Sequence, residues 1–361
     1  MGGAPKRSMA EQGGLFRPRS RKVRQQTVTL AHGAGGRAMR DLIDDVFLSA
    51  FDDAPPGALE DQARIALDGL AGGTLAFTTD SFVVDPIFFP GGDIGKLAVC
   101  GTVNDLAVGG ARPLALSCSV ILEEGMAIDD LRRIARSMRS AADFAGVRIV
   151  TGDTKVVDRG AADKIFINTA GIGVIPPGRA LSASRIRPGD AILINSSIGE
   201  HGAAVMAARA DLGLSTPLVS DCRALNHLTD SVLNAAPGVR AMRDATRGGV
   251  AAVLNEFAQA AGVCCLIEEQ RLPLKPEVRG ISEILGLDPL YLANEGLLVI
   301  VVDARDSDAV LAALRAQPGG ETATAIGAIR AEPVGALVMT SFFGGERLVD
   351  MLDGDQLPRI C

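Results

Sequence analysis

The sequence predicts an α+β protein of two sandwich domains, each with helices covering a mainly antiparallel or mixed sheet. Three observations point there. At 361 residues the chain is long for one domain and comfortable for two. The stretch PPGRALSASRIRPGD (176–190) carries two Pro–Gly signals with polar residues between them and apolar elements on both sides. Both halves mix strand-like runs with helical periodicity, without the strict alternation of a doubly wound parallel sheet. The expected organisation is a disordered basic tail over 1–26, an N-terminal domain over 27–175, a C-terminal α/β domain over 176–340 and a mobile tail over 341–361.

The elements follow in order. A short strand VTL meets the glycine-rich AHGAGG, and MRDLIDDVFLSAF then spaces Met39, Leu42, Ile43, Val46 and Phe47 as one helical face. ARIAL and TLAFTTDSFVV predict strands. IGKLAVCGTVNDLAV carries few charges and ends at Gly109, Gly110 and Pro113, the pattern of a buried helix with a marked stop. A strand PLALSCSVIL follows, then a helix over 128–145 with Ile128, Leu131, Ile134, Ala135, Met138 and Ala142 on one face. GVRIVTGDTKVV reads as strand into loop, and KIFINTAGIGVI as strand. In the second half, AILINSSIG, VRAMRDAT, GVCCLIEE, LLVIVV and ATAIGAI predict strands. HGAAVMAAR, ALNHLTDSVLNAA, RGGVAAVLNEFAQAA and SDAVLAALRAQ predict helices. Regular patterning stops near Ser341.

Composition narrows the function. Net charge is −7, and seven basic residues crowd the first 26 positions, so the body is more acidic still and offers no surface for nucleic acid or an anionic membrane. No apolar run approaches the roughly 20 residues that span a bilayer. Aromatics are only 4%, which leaves little for stacking on bases. The six cysteines form no CxxC pair or ligand cluster, so a reduced, cytoplasmic compartment is expected, with Cys100, Cys118, Cys264 and Cys265 inert in apolar runs.

Chemistry concentrates in acids at element ends: Asp80 in TTDSF, Asp105 in TVNDLA, Asp153 in TGDTK and Asp244 in MRDATRGG, with Glu60 and Asp61 in EDQAR. Mg²⁺ takes hard oxygen ligands and bridges a few carboxylates to phosphate oxygens, so a shared cluster of these acids predicts a Mg²⁺–nucleotide site. HGAGG, FPGGDIG and TRGG place bare backbone N–H groups before helices or turns, where phosphates bind. None matches GxxxxGK[ST] or GxGxxG, which disfavours the two familiar nucleotide folds.

The run TTDSFVVDPIFFPGGDIGKLAVCGTVNDLAVGGARP, with TGDTKVV, MRDATRGG, LDPLYLANEG and the terminal PRIC, resembles the HypE family of hydrogenase maturation factors. That family sits in the wider group of aminoimidazole ribonucleotide synthetase, selenophosphate synthetase and thiamine-monophosphate kinase. The resemblance spans Thr27 to Cys361. It implies an N-terminal domain that dimerises and binds ATP with Mg²⁺, and a carbamoyl group delivered to Cys361 by the carbamoyltransferase HypF. It also implies ATP-dependent dehydration of that S-carboxamide to a thiocyanate, for transfer to an iron on the HypC–HypD complex. Carried over by position, Asp61, Asp80, Asp105, Asp153 and Asp244 hold Mg²⁺–ATP with the backbone of Gly248 and Gly249, while Thr102 and Asn104 position the nucleotide loop. Lys155 neutralises the transferring phosphoryl group, and Glu295 takes the N–H proton. His32 is a phosphate contact or a loop cap; His201 and His227 read as structural. The sequence departs from the family at Ala245, where Pro is common, and at Leu297, where Lys is common. The first is expected to loosen the loop after Asp244, and the second removes a positive charge near Glu295. Two alternatives stand beside this reading: a small-molecule kinase or synthetase of the same group with Cys361 a bystander, and a non-enzymatic nucleotide-sensing carrier.

Overall fold

The computed structural model describes residues 22–34, 37–51, 72–209, 215–351 and 360. In the first unit, α1 (Arg37–Leu42), a π-helical stretch (Ile43–Leu48) and α2 (Ser49–Phe51) form one helical rod that sets Leu42 and Val46 into the core. Then come β1 (Thr74–Phe82), the short β2 (Phe88–Phe89) and β3 (Gly92–Asp93), α3 (Ile94–Val108), β4 (Arg112–Glu123), α4 (Ile128–Ala145), β5 (Arg148–Val157) and β6 (Ile165–Ile175). The sheet runs β1-β6-β4-β5, antiparallel except between β4 and β5.

Helix α3 is buried nearly all round, which explains its apolar character. Its N-terminus is capped by the Asp93 carboxylate, which accepts the N–H of Gly95 (2.8 Å) and Lys96 (3.0 Å). It packs closely on its neighbours through glycines. A Cβ at Gly101 would meet the Phe82 ring at 2.8 Å, and one at Gly95 would meet the Ile134 carbonyl of α4 at 2.7 Å. Its remaining side touches the helix Asn226–Ala235 and the strand Val239–Asp244 of the second unit.

That unit contains β7 (Ala191–Ile194), α5 (Glu200–Ala207), α6 (Asn226–Ala235), β8 (Val239–Asp244), α7 (Gly249–Ala261), β9 (Cys264–Glu268), α8 (Pro276–Leu285), β10 (Leu298–Val302), α9 (Ser307–Arg315), β11 (Thr324–Arg330), β12 (Ala336–Thr340) and β13 (Glu346–Leu348). The sheet order is β13-β12-β9-β11-β7-β10-β8, antiparallel except for β12 beside β9. Strand β10 lacks alternation because helices cover both its faces. Val299 and Val301 enter the core with α7, while Leu298, Ile300 and Val302 enter the core with α6 and α9. Both units are thus α+β layers with mixed or mainly antiparallel sheets. They share a boundary, since Val205, Cys222 and Ala224 belong to the first unit's core.

Several expectations change. Val28–Leu30 makes no strand, only a bridge from Thr27 to Ala127. TGDTK is not a loop: pairing with buried β4 keeps all of it in β5 despite its glycine and aspartate. Helix α8 and strands β12 and β13 were not foreseen, so regular structure continues past Ser341 as far as Leu348, and the Val349 N–H is held by the Leu337 carbonyl (2.9 Å). The basic segment is tied down at its end, where the Val23 N–H meets Asp45 (2.9 Å) and the Gln26 carbonyl accepts from Ile128 (2.8 Å). ARIAL and residues 1–21 lie outside the described residues.

Candidate active site

Three of the predicted acids converge where the units meet. Asp80 leaves β1, Asp105 the last turns of α3 and Asp244 the end of β8. The Thr78 hydroxyl donates to Asp105 (2.9 Å), and the Ser81 N–H donates to Asp80 (2.7 Å). Burial raises the pKa of Asp80 and of Asp105, whose carboxyl is raised further by Asp80. Burial, followed by Asp105, pushes Asp244 up to about 7. Beside them is Glu295, 1% exposed, in the loop that leads into β10. Its Oε1 has no hydrogen-bond partner among the described residues, and burial, then Asp244, Asp221 and Asp80, hold its pKa well above the ordinary carboxyl value. Asp80 disfavours the charge of the other three carboxyls, while Arg247 favours that of Asp80 and Arg243 that of Asp105 and Asp244.

The Glu295 backbone is rigidly held. Asp221 accepts the N–H of Glu295 (3.0 Å) and of Gly296 (3.1 Å), and the Glu295 carbonyl accepts from Arg223 (3.1 Å). Asp221 itself is buried and pushed up to about 6. Next to it, Cys222 and Cys100 form a buried thiol pair across the domain boundary, and hydrogen bonding to Cys100 together with burial holds Cys222 far from its thiolate. Sequence reasoning missed Asp221 and Cys222. The stretch LVSDC has no periodicity, and only the fold gives it neighbours.

A cavity of about 460 Å³ opens beside the acids, lined among others by Thr78, Asp105, Asp244, Thr246 and Arg247. The N-terminus of α7 stands there. Gly248 (φ 78°) and Gly249 (φ 60°) turn the chain into the helix in the left-handed region, and a Cβ at Gly249 would sit 2.5 Å from the Leu290 carbonyl. An anion fits such a terminus.

The other predicted residues lie elsewhere. Strand alternation directs Asp80 toward α3 but puts Asp153 and Lys155 on the opposite face of the sheet. Following Asp80–Thr169–Cys118–Gly152 across the sheet takes three strand spacings, about 14 Å. Within this chain, therefore, the Asp153–Lys155 ion pair (2.9 Å) is separate from Asp80, Asp105 and Asp244. Asn104 joins the two units: its Nδ2 donates to the Arg223 carbonyl (3.1 Å) and its Oδ1 accepts from the Leu225 N–H (2.7 Å). The Thr102 hydroxyl is bound to that of Thr169 beneath α3. His32 is a buried cap whose Nδ1 meets the Thr29 N–H at 3.0 Å. His227 sits on Phe144, its Nε2 2.8 Å from that carbonyl. The loop at Ala245 is not loosened, because its N–H donates to Leu297 (3.0 Å) and its carbonyl accepts from Asn294. Leu297 is fully buried in the core under α7. Asp61 and Cys361 lie outside the described residues.

The donor set fits Mg²⁺–ATP. Carboxyls held above their usual pKa by burial and by one another would be relieved by a divalent cation. Among the described residues no three His, Cys, Asp or Glu side chains can hold a metal ion by themselves. A cation here would complete its shell with phosphate oxygens and water, as Mg²⁺ commonly does.

Comparison with known proteins agrees. The family model for the AIR synthase related protein N-terminal domain matches residues 60–175, and that for its C-terminal domain matches 187–340. The carbamoyl dehydratase HypE of Rhodobacter capsulatus is 60% identical over 341 residues, covering 94% of this chain and 99% of that protein. A crystal structure of the hydrogenase maturation protein HypE in complex with ATP superposes with a TM-score of 0.87 at 49% identity, covering 93% of this chain and all of that one. A HypE–HypF complex gives a TM-score of 0.75 at 46% identity, covering 78% and 92%. On this evidence, and with the acidic pocket and glycine-led helix already in place, the chain belongs to the carbamoyl dehydratase HypE family of the AIR synthase group.

Proposed function

We propose that this chain is an ATP-dependent carbamoyl dehydratase acting on its own Cys361, converting an S-carboxamide into a thiocyanate that supplies the cyanide ligand of a nickel–iron hydrogenase. The observation that carries this reading is Glu295, a carboxyl buried to 1% with one oxygen unpartnered in an acidic pocket. Among the described residues nothing partners that oxygen, and leaving it unmet costs stability.

Passing from S–C(=O)NH₂ to S–C≡N removes the oxygen and both N–H hydrogens. ATP supplies the activation, since its γ-phosphoryl on the amide oxygen lets phosphate leave where hydroxide could not. One N–H proton passes to water as the amide oxygen is phosphorylated, and Glu295 accepts the other as the C–O bond breaks, its electron pair departs with phosphate and the N–H pair completes the C≡N bond. A carboxyl held well above its usual pKa is a stronger base than an exposed glutamate, so it suits this proton transfer. Asp80, Asp105 and Asp244 would hold Mg²⁺, whose charge would offset that of the phosphates, and the α7 N-terminus at Gly248 and Gly249 would receive phosphate oxygens.

The chain works as a homodimer through the outer face of the β1-β6-β4-β5 sheet. Phe77 (68% exposed) and Ile121 (41% exposed) lie bare there beside Asp153 and Lys155. A second copy covering this face supplies Asp153 and Lys155 to its partner's site, where Lys155 offsets phosphoryl charge. HypF donates the carbamoyl group, as the HypE–HypF complex of a relative supports. The HypC–HypD complex takes the cyanide. The five buried free thiols of the described residues suit a reducing cytoplasm.

Intact-protein mass spectrometry tests the reading. Incubation with HypF and its substrates should add a carboxamide to Cys361, and a Mg²⁺–ATP chase should then remove the mass of water. ATP consumption with no mass change at Cys361 would mean a free small-molecule substrate.

A further inference from the structure

We propose that His201 is a positioning residue that seats the C-terminal segment for dehydration, its Nε2–H donating to the carbonyl of Ile360. This rests on Cys361 being the modified residue, because that carbonyl belongs to the peptide unit joining Ile360 to Cys361. Ile360 is 3% exposed, and its oxygen lies 2.8 Å from His201 Nε2.

The hydrogen bonds leave one tautomer. A carbonyl only accepts, so Nε2 carries the hydrogen, and a neutral ring must then accept at Nδ1. The Ser220 hydroxyl meets Nδ1 at 2.7 Å and accepts the Cys222 N–H at 3.0 Å, leaving its own hydrogen for the imidazole. Burial lowers the His201 pKa to about 4, so the ring stays neutral at working pH.

The clasp shares its frame with Glu295. Gly202, next to His201, donates to the Ala293 carbonyl (2.9 Å), and Gly199 donates to Asn294 Oδ1 (2.6 Å). Asp221, between Ser220 and Cys222, holds the Glu295 N–H. The first unit closes the frame: the Phe89 ring meets His201 edge-on at 5.3 Å, and the Ser220 N–H donates to Pro90 (2.8 Å). The chain that bears the reacting sulfur and the proton acceptor are thus referenced to one hydrogen-bonded loop system. Such fixed geometry is what converts a tethered reactant into an oriented one.

The test uses the full-length chain with His201→Leu, which fills the space without donating, and His201→Gln, whose amide can accept from Ser220 and donate to Ile360. We expect His201→Leu to accept the carbamoyl group normally and bind ATP with unchanged affinity. Carboxypeptidase should trim it several-fold faster, and the carboxamide should dehydrate about tenfold more slowly in a single turnover. His201→Gln should restore most of both. Trimming at the unaltered rate in His201→Leu would overturn the clasp whatever the chemistry does. A parallel loss of melting temperature, ATP affinity and rate that Gln fails to rescue would also overturn it, by making His201 merely structural. Were the parent protein never to dehydrate Cys361 while His201→Leu is still trimmed faster, the clasp would stand and the proposed reaction would fall.

Discussion

Glu295 shows how one side chain can set a measurable property of the protein. Exchanging it for the isosteric Gln removes the proposed proton acceptor and keeps the shape, so thiocyanate formation should fall at least about 100-fold while ATP still binds, as single-turnover mass spectrometry would report. Asp105→Asn removes one of the acids facing the cavity and should weaken Mg²⁺–ATP about tenfold by calorimetric titration. Asp244 fixes a pH dependence. Its folded pKa of about 7 exceeds the ordinary 3.8, so the folded state binds the extra proton, and the nucleotide-free protein loses stability as pH rises from about 4 through 7. Asp244→Asn should flatten that slope in thermal melts between pH 5 and 8. The acids were legible in the sequence, but their mutual proximity was not. Asp80, Asp105 and Asp244 are 164 positions apart at the extremes, from 80 to 244, and only the docking of α3 against β8 brings them together.

At the scale of elements, legibility followed burial on one face. Helix α4 reads to the residue because its six apolar positions recur with helical spacing and all are buried. Strand β13 left no signal because its three residues are all exposed and its identity comes from pairing with β12. The TGDTK segment misled for the converse reason: its composition favours a turn, while its neighbour β4 imposes a strand. Helix α7 depends on its entry. Gly249→Ala would strain a left-handed residue and drive a Cβ to 2.5 Å from a backbone carbonyl, a cost of about 1–3 kcal/mol or more. Gly286→Ala, also left-handed (φ 69°) but with nothing within 4 Å, should cost only about 1–2 kcal/mol. Thermal melts of the two variants should therefore separate, with the Gly249 variant lower and poorer in nucleotide binding.

For the molecule as a whole, two joints matter: the clasp of Asn104 between the units and the bare outer face of the first sheet. Ile121→Glu puts a charge on that face and should turn the proposed dimer into a monomer in sedimentation velocity, with ATP turnover falling in step. The two-unit plan was legible from the Pro–Gly boundary and the change of periodicity. Which faces meet was not, because the meeting residues, Cys222 and Ala224 among them, come from a stretch with no pattern of its own. The order of strands in the first sheet has a consequence during synthesis. β6 lies between β1 and β4, so a nascent chain that has emerged only through β5 leaves β1 without a partner and β4 holding just one. The sheet can close only when Ile165–Ile175 leaves the ribosome, and until then β1 is an unpaired apolar edge open to chaperones or to mispairing. A stall between β5 and β6 therefore leaves β1 open to mispairing.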